Sequence, residues 1–179
     1  MLELKIPDTE LYDEEANEFI SVKGVVLRLE HSLVSISKWE SNWKEPFLSE
    51  KPKTIAQTVD YVRCMTMNQH VDPLVYEALT NENVNAVNEY IKDSRTATTF
   101  TDRGNASRRE IVTSELIYWW MAQFNIPMEC QKWHLSRLLT LIRIASIKNS
   151  PQQNMSRHAV LSQNAALNAA RRKARGSKG

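Results

Sequence analysis

The first thirty residues change polarity at almost every step. Leu2, Leu4 and Ile6 alternate with Glu3 and Lys5, and Pro7 ends the run. Phe19-Ile20-Ser21-Val22 and Val25-Val26-Leu27-Arg28-Leu29 carry the same β-branched, two-residue pattern. A period of two predicts strands. Residues 1–31 therefore read as a small antiparallel β element of two or three strands, packed on a helical body. The acidic piece Asp13-Glu14-Glu15-Ala16-Asn17-Glu18 is its solvated turn.

From Ser32 the period lengthens to three and four. Leu33, Ile36, Trp39 and Trp43 predict a helix that Pro46 closes. Thr54 is placed to cap a second helix, with Ile55, Val59, Val62 and Met65 on one face. Asp72-Pro73 starts a third, and Thr80 a fourth with Val84, Val87, Tyr90 and Ile91. Residues 93–107 have no helical period and read as a long surface loop or a short hairpin. Ile111, Val112, Leu116, Trp119 and Trp120 then predict a wide apolar face on a central helix. After the break at Asn125-Ile126-Pro127, one narrow polar stripe predicts a mostly buried helix over 128–148. The stripe is Glu129, Lys132, Ser136, Thr140 and Arg143. Pro151 comes after it, and a weakly amphipathic helix is expected over 156–173.

The fold class is thus mainly α (α+β). A helical body over 32–150 carries the N-terminal antiparallel β element and a basic helical tail over 151–179. A chain of 179 residues can bury a core without disulfides or metal. Only 4 glycines argue against a Gly-rich phosphate loop, and no G-x-x-x-x-G-K-[ST] or G-x-G-x-x-G pattern occurs. No apolar run reaches the roughly 20 residues of a membrane helix. Met1-Leu2-Glu3-Leu4-Lys5 lacks the pattern of a signal peptide. Two cysteines, Cys64 and Cys130, make no disulfide framework, so a reducing, intracellular setting is expected.

The formal charge of +2 hides an asymmetry. Arg157, Arg171, Arg172, Lys173, Arg175 and Lys178 lie in the last thirty residues, where no acid occurs. All the acidic side chains belong to the rest, which is net negative. The basic residues Arg171, Arg172 and Lys173 could meet phosphates. They lack interleaved aromatics, and cations also suit a helix C-terminus, so nucleic acid is not expected as a partner.

Candidate chemistry centres on Cys130 and His134. On a continuous helix they would share a face at a two-ligand spacing. The other His and Cys residues, Cys64, His31, His70 and His158, form no second close pair. A thiolate nucleophile in the first turn after Pro127 would have a lowered pKa, yet no orienting partner or oxyanion hole is legible. A core cysteine beside an interface histidine is the remaining reading. Glu14-Glu15 is a charged turn. No catalytic residue, metal or cofactor is expected. Trp39, Trp43, Trp119, Trp120 and Trp133 fall at helical spacing and suit a core. Exposed members of the Trp39/Trp43 and Tyr118/Trp119/Trp120 groups, with the 93–107 loop and the basic tail, are the candidates for partner binding.

Several stretches together carry a family resemblance. They are "LRLEHSLVSISKWESNWKEPFL", "DYVRCMT", "TATTF", "IVTSELIYWWM", "IPMECQKWHLSRLLTLIRIASIKN" and "QNAALNAARRKARGSKG". The chain resembles, along nearly its whole length, tail assembly chaperones of phages with long non-contractile tails (siphophages). The block around Trp133-His134-Leu135 is the most specific part. Ser136 stands where the pattern has Asn, and Ala145-Ser146 where Cys is common. The resemblance implies a helical, non-enzymatic protein of the host cell cytoplasm. It would hold the tape measure protein during virion assembly, self-associate or join a longer form of itself, and be absent from the mature virion. A structural virion component, such as a head–tail connector or minor tail protein, is the alternative. A Cys/His enzyme and a nucleic-acid-binding protein stand behind both.

Members of this family are commonly made in two lengths by a −1 programmed frameshift. Ser177-Lys178-Gly179 can be encoded as TCA-AAG-GGN, which contains the slippery heptamer A-AAG-GGN. Expression of the gene with its downstream DNA and a tag in the −1 frame is expected to yield a minor, longer, tagged product. Codons unable to slip, with no fusion detected, would remove this expectation.

Overall fold

A computed structural model describes residues 1–13, 17–100, 111–150 and 157–176. Strands β1 (Leu2–Ile6), β2 (Thr9–Asp13), β3 (Glu18–Val22) and β4 (Val25–Leu29) come first. Seven helices succeed them among the described residues: α1 (Leu33–Trp43), α2 (Ile55–Met65), α3 (Leu74–Glu77), α4 (Asn81–Lys92), α5 (Ser114–Gln123), α6 (Leu135–Asn149) and α7 (Arg157–Arg175). A 3-10 turn, Met128–Lys132, sits between α5 and α6. The protein is mainly α with a small β element, as its patterning predicts. It divides into two compact units, Met1–Ser146 and Ile147–Gly179. No described helix is long and apolar enough to cross a membrane.

The β element is one folded ribbon. β1 pairs with β4 and β2 with β3, both antiparallel, and the two ladders keep a common register from Leu2↔Leu29 to Asp13↔Glu18. Pro7 has no N–H to give the ladder and interrupts it. Opposite, Gly24 lets the backbones approach: an added Cβ would lie 2.8 Å from the Ile6 carbonyl oxygen. The Gly24 N–H turns instead to Asp8 Oδ1 at 2.6 Å. Strand β2, unforeseen from the sequence, carries alternating Leu11 among Glu10 and Tyr12, too short a run to stand out.

The helix starts obey their capping residues. Ser32, Thr54 and Thr80 each form a reciprocal box with the residue three further on. Asp72 Oδ1 accepts from the Leu74 N–H at 3.0 Å, opening α3. Lys44 and Asn125 take left-handed backbone angles where α1 and α5 end.

Three helix faces differ from expectation. In α2 the buried residues are Gln57, Tyr61, Val62 and Met65, while Ile55 is 86% exposed. Polar anchors set the rotation: Trp39 Nε1 donates to the Gln57 carbonyl at 2.9 Å, and Tyr61 bonds to His31. The Ile55/Val59 face lines an open groove with Pro73, Tyr76 and Leu79. In α5, Ile117 and Met121 point inward while Trp119 is 58% exposed, and Ile111 and Val112 precede the helix. A run apolar on all sides has no preferred face, so the anchored Ser114 decides the rotation. The predicted helix over 128–148 is broken at Trp133-His134, and α6 buries only Leu135, Leu138 and Ile142. Of the predicted 93–107 loop, residues 93–100 are irregular and 101–107 lie outside the described residues.

The core of the first unit runs from Leu4, Leu27 and Leu29 through Ile36, Trp39, Val62 and Met65 to Ile117, Met121 and Leu138. One carboxylate within it ties three segments together. Buried Glu40 accepts from the Phe47 N–H through Oε1 and from the Ser114 N–H through Oε2, each at 2.8 Å. It thereby closes the loop after α1 and fixes the first residue of α5. Glu40→Ala leaves both N–H groups without their acceptor and is expected to cost about 2–4 kcal/mol, given the strength of hydrogen bonds to charged groups. Urea unfolding at neutral pH measures it; a loss below about 1 kcal/mol would contradict the role assigned to Glu40.

Candidate functional site

The end of α5 and the middle of α6 build an open apolar surface in the first unit. Trp120 and Phe124 lie four apart along the end of α5, and Leu139 and Ile142 three apart on α6, so each pair lies on one side of its helix. With Trp119, Gln123, Arg143 and Ser146 they line a groove of about 520 Å³. A second groove of about 490 Å³ shares Trp120 and Leu139 and extends past Leu48, Ile111 and Val112. The two grooves adjoin at Trp120 and Leu139, and together they are called the α5–α6 channel. Phe124, Leu139, Ile142 and Leu48 were not among the residues expected to bind a partner. For Phe124, Leu139 and Ile142 the signal is the i, i+3 and i, i+4 spacing at the end of α5 and on α6, which alone does not separate a core stripe from an open one; Leu48, in the loop after α1, has no such signal.

The expected binding residues scatter. Trp39 is 1% exposed, within the core, and stacks on Trp43 at 6.2 Å between ring centroids. Half-buried Trp43 donates from Nε1 to Asp60 Oδ2 at 2.8 Å. This pair therefore joins α1 to α2, and Trp39 offers no surface to a partner. Tyr118 is half-buried and donates to Gln131 Oε1 at 2.8 Å, tying α5 to the 3-10 turn. Of that group, Trp119 and Trp120 reach the groove. Arg171 and Arg172 are exposed on α7, in the second unit, and Lys173 belongs to the same helix.

Cys130 and His134 do not share a helix face. Cys130 is buried in the 3-10 turn and belongs to the apolar core. His134 stands between that turn and α6, where its ring meets Tyr90 and His31. Its Nε2 donates to the Tyr90 carbonyl at 3.2 Å, and its Nδ1 accepts from the Ser136 N–H at 3.3 Å. That pattern fits the neutral ring with its proton on Nε2. No group of three or more metal-ligating side chains occurs among the described residues. Cys64, half-buried, has its thiol pushed up to about 11 by burial and by Asp60. It is a poor nucleophile at neutral pH.

The two histidines form a buried, uncharged junction. Their ring centroids are 5.2 Å apart, edge to face, and His31 Nδ1 bonds to the Tyr61 hydroxyl. Burial, aided by His134, pulls His31 down to about 4; burial lowers His134 too.

No protein-family model, curated protein or solved structure matches the chain.

The lowered pKa of His31 has a definite sign in stability. The unfolded chain takes up its proton near the usual value of about 6.5 while the folded protein resists until about 4. Stability is therefore full above that unfolded value and falls as the pH drops toward 4. Between pH 7 and 5 the expected loss is about 2 kcal/mol from this ring. Urea titrations across that range are expected to record it, and His31→Gln, which keeps a partner for Tyr61, should flatten the profile. A flat wild-type profile, or an unchanged slope in the variant, would contradict the neutral junction.

Proposed function

We propose that this protein is a non-enzymatic tail assembly chaperone of a siphophage, binding the tape measure protein before the tail tube forms. The observation that carries this reading is the apolar channel along α5 and α6. An amphipathic helix presents apolar side chains at i, i+3, i+4 and i+7, and a groove between two helices receives such a stripe. Trp120, Phe124, Leu139 and Ile142 would take these anchors, with exposed Trp119 at the rim. A long, helical, amphipathic client would otherwise aggregate through the same stripe. The resemblance to tail chaperones supplies the client's identity; the channel supplies a surface of the right chemistry. On this reading the protein works in the host cytoplasm, takes part in no covalent step and stays out of the finished virion.

Co-expression with the tape measure protein of the same phage is expected to give a soluble complex. Trp119→Ala with Trp120→Ala removes two aromatic anchors. Binding should weaken by about 2 kcal/mol or more, roughly thirty-fold, with the helical circular dichroism unchanged. Full binding by that double variant would contradict the groove as the client site. Stoichiometric recovery of the protein in purified virions would contradict the chaperone reading itself and favour a structural tail component.

A further inference from the structure

The two edges of the β1–β4 sheet differ. On the β4 side, residues 65–68 close the backbone. The Glu30 N–H donates to the Met65 carbonyl at 3.0 Å, and the Met67 N–H to the Arg28 carbonyl at 2.8 Å. Asn68 completes this edge with its side chain. It accepts from the Arg28 N–H at 2.7 Å and donates to the Val26 carbonyl at 3.0 Å. β1 has no such cover. It pairs with β4 alone, and no backbone hydrogen bond joins Leu2–Ile6 to any other described segment. An outer strand of this kind presents a row of unpaired N–H and C=O groups to a further strand.

The sequence of β1 is complementary to itself. Leu2, Leu4 and Ile6 turn to the core side, and exposed Glu3 and Lys5 to the outer one. Laid antiparallel against a second copy about Leu4, Leu2 faces Ile6, Leu4 faces Leu4, and Glu3 faces Lys5 twice. Residues directly opposite have Cβ atoms about 5 Å apart, and opposite charges there are stabilising. Glu3 already lies 3.8 Å from Arg28 Nε on β4. The row across the joined sheet is then Arg28, Glu3 and the second copy's Lys5, alternating in sign. Lys5 enters no ion pair among the described residues. A lysine on an edge strand commonly guards against pairing; in this register Glu3 answers it. The neighbouring registers do not. A shift of two residues sets Glu3 against Glu3 one way and Lys5 against Lys5 the other, where like charges repel. A shift of one sets the charged face against the core face. Pro7 has no N–H and stops the ladder beyond Ile6.

We propose that the free edge of β1 is an interface between two copies of this chain, which pair β1 against β1, antiparallel about Leu4, into one continuous sheet. The contact is isologous and closes as a two-fold dimer. Glu3 and Lys5 set its register, and the backbone supplies about four to six hydrogen bonds. It uses no residue of the α5–α6 channel and stands or falls separately from the client-binding reading.

Sedimentation equilibrium of the full chain, with no residue added before Met1, tests it over a concentration series. A monomer of 20.7 kDa is expected in exchange with a species of twice that mass. Lys5→Glu sets like charges opposite each other at two positions and should weaken the pairing about tenfold or more. The same change takes the formal charge of +2 to zero, so a general charge effect would act the other way. Glu3→Lys should weaken pairing to a similar degree. Glu3→Lys with Lys5→Glu in one chain should restore it, and a mixture of the two single variants should form a mixed dimer. Both side chains are exposed, and circular dichroism checks that the variants stay folded. If loss of the Arg28 contact unfolds the Glu3→Lys chains, Lys5→Gln replaces them, with an affinity expected between wild type and Lys5→Glu. A wild type that stays monomeric, or pairing unchanged by Lys5→Glu, overturns the proposal. Folded single variants that weaken pairing, with no recovery in the double variant or the mixture, overturn the register about Leu4.

Discussion

The fold turns on two neutral imidazoles meeting in a buried place. The Leu135 N–H donates to the His31 carbonyl at 2.8 Å, and Ser32 bridges to His134. The ring contact of His31 with His134 sits over that backbone seam. Thereby the end of the β ribbon and the start of α1 are sewn to the start of α6. Tyr61 from α2 and Tyr90 from α4 complete the junction through bonds to the same two rings. Four helices and the ribbon thus share one polar node inside an apolar core. Burial disfavours a charge on either ring, and at His31 it outweighs the attraction of the nearby Glu30 carboxylate. Neutrality is therefore a condition of the architecture rather than a detail of it.

Glu40 performs the complementary task on the other side of α1. Its two oxygens hold the loop after α1 and the first turn of α5. With α6 fixed by His134 and α5 fixed by Ser114, the facing sides of these two helices are set. The side chains left over, Trp119, Trp120, Phe124 and Leu139, then line an open channel instead of a closed core. Polar anchors decide which apolar residues are spared for a partner. This is a link from buried hydrogen bonds to a surface property.

That logic also explains what the sequence could and could not reveal. Capping residues act locally, so Ser32, Thr54, Asp72, Thr80 and the break at Asn125-Ile126-Pro127 mark the elements directly. Rotation of a helix about its axis is a tertiary decision. Gln57 and Tyr61 face inward on α2 because of Trp39 and His31, which no period count contains. The breadth of the Ile117–Met121 block hides its inward face for the same reason. The Cys130–His134 spacing suggests a shared helical face only if the helix is continuous; the seam at His31 and Ser32 breaks it at Trp133. Trp39, expected with Trp43 among the partner-binding candidates, lies in the core, and the same helical spacing cannot separate it from Trp119 outside. The groove residues Phe124, Leu139 and Ile142 are legible only after both helices are placed.

The central claim is that the α5–α6 channel is where the client helix lies. Hydrogen–deuterium exchange of the protein, alone and in complex with the tape measure protein, tests it most directly. The account predicts added protection concentrated in the second half of α5 and along α6 through Ser146, with the seam at His31 and Ser32 already protected in the free protein. Protection confined to other elements in a bound complex, with α5 and α6 unchanged, would contradict it.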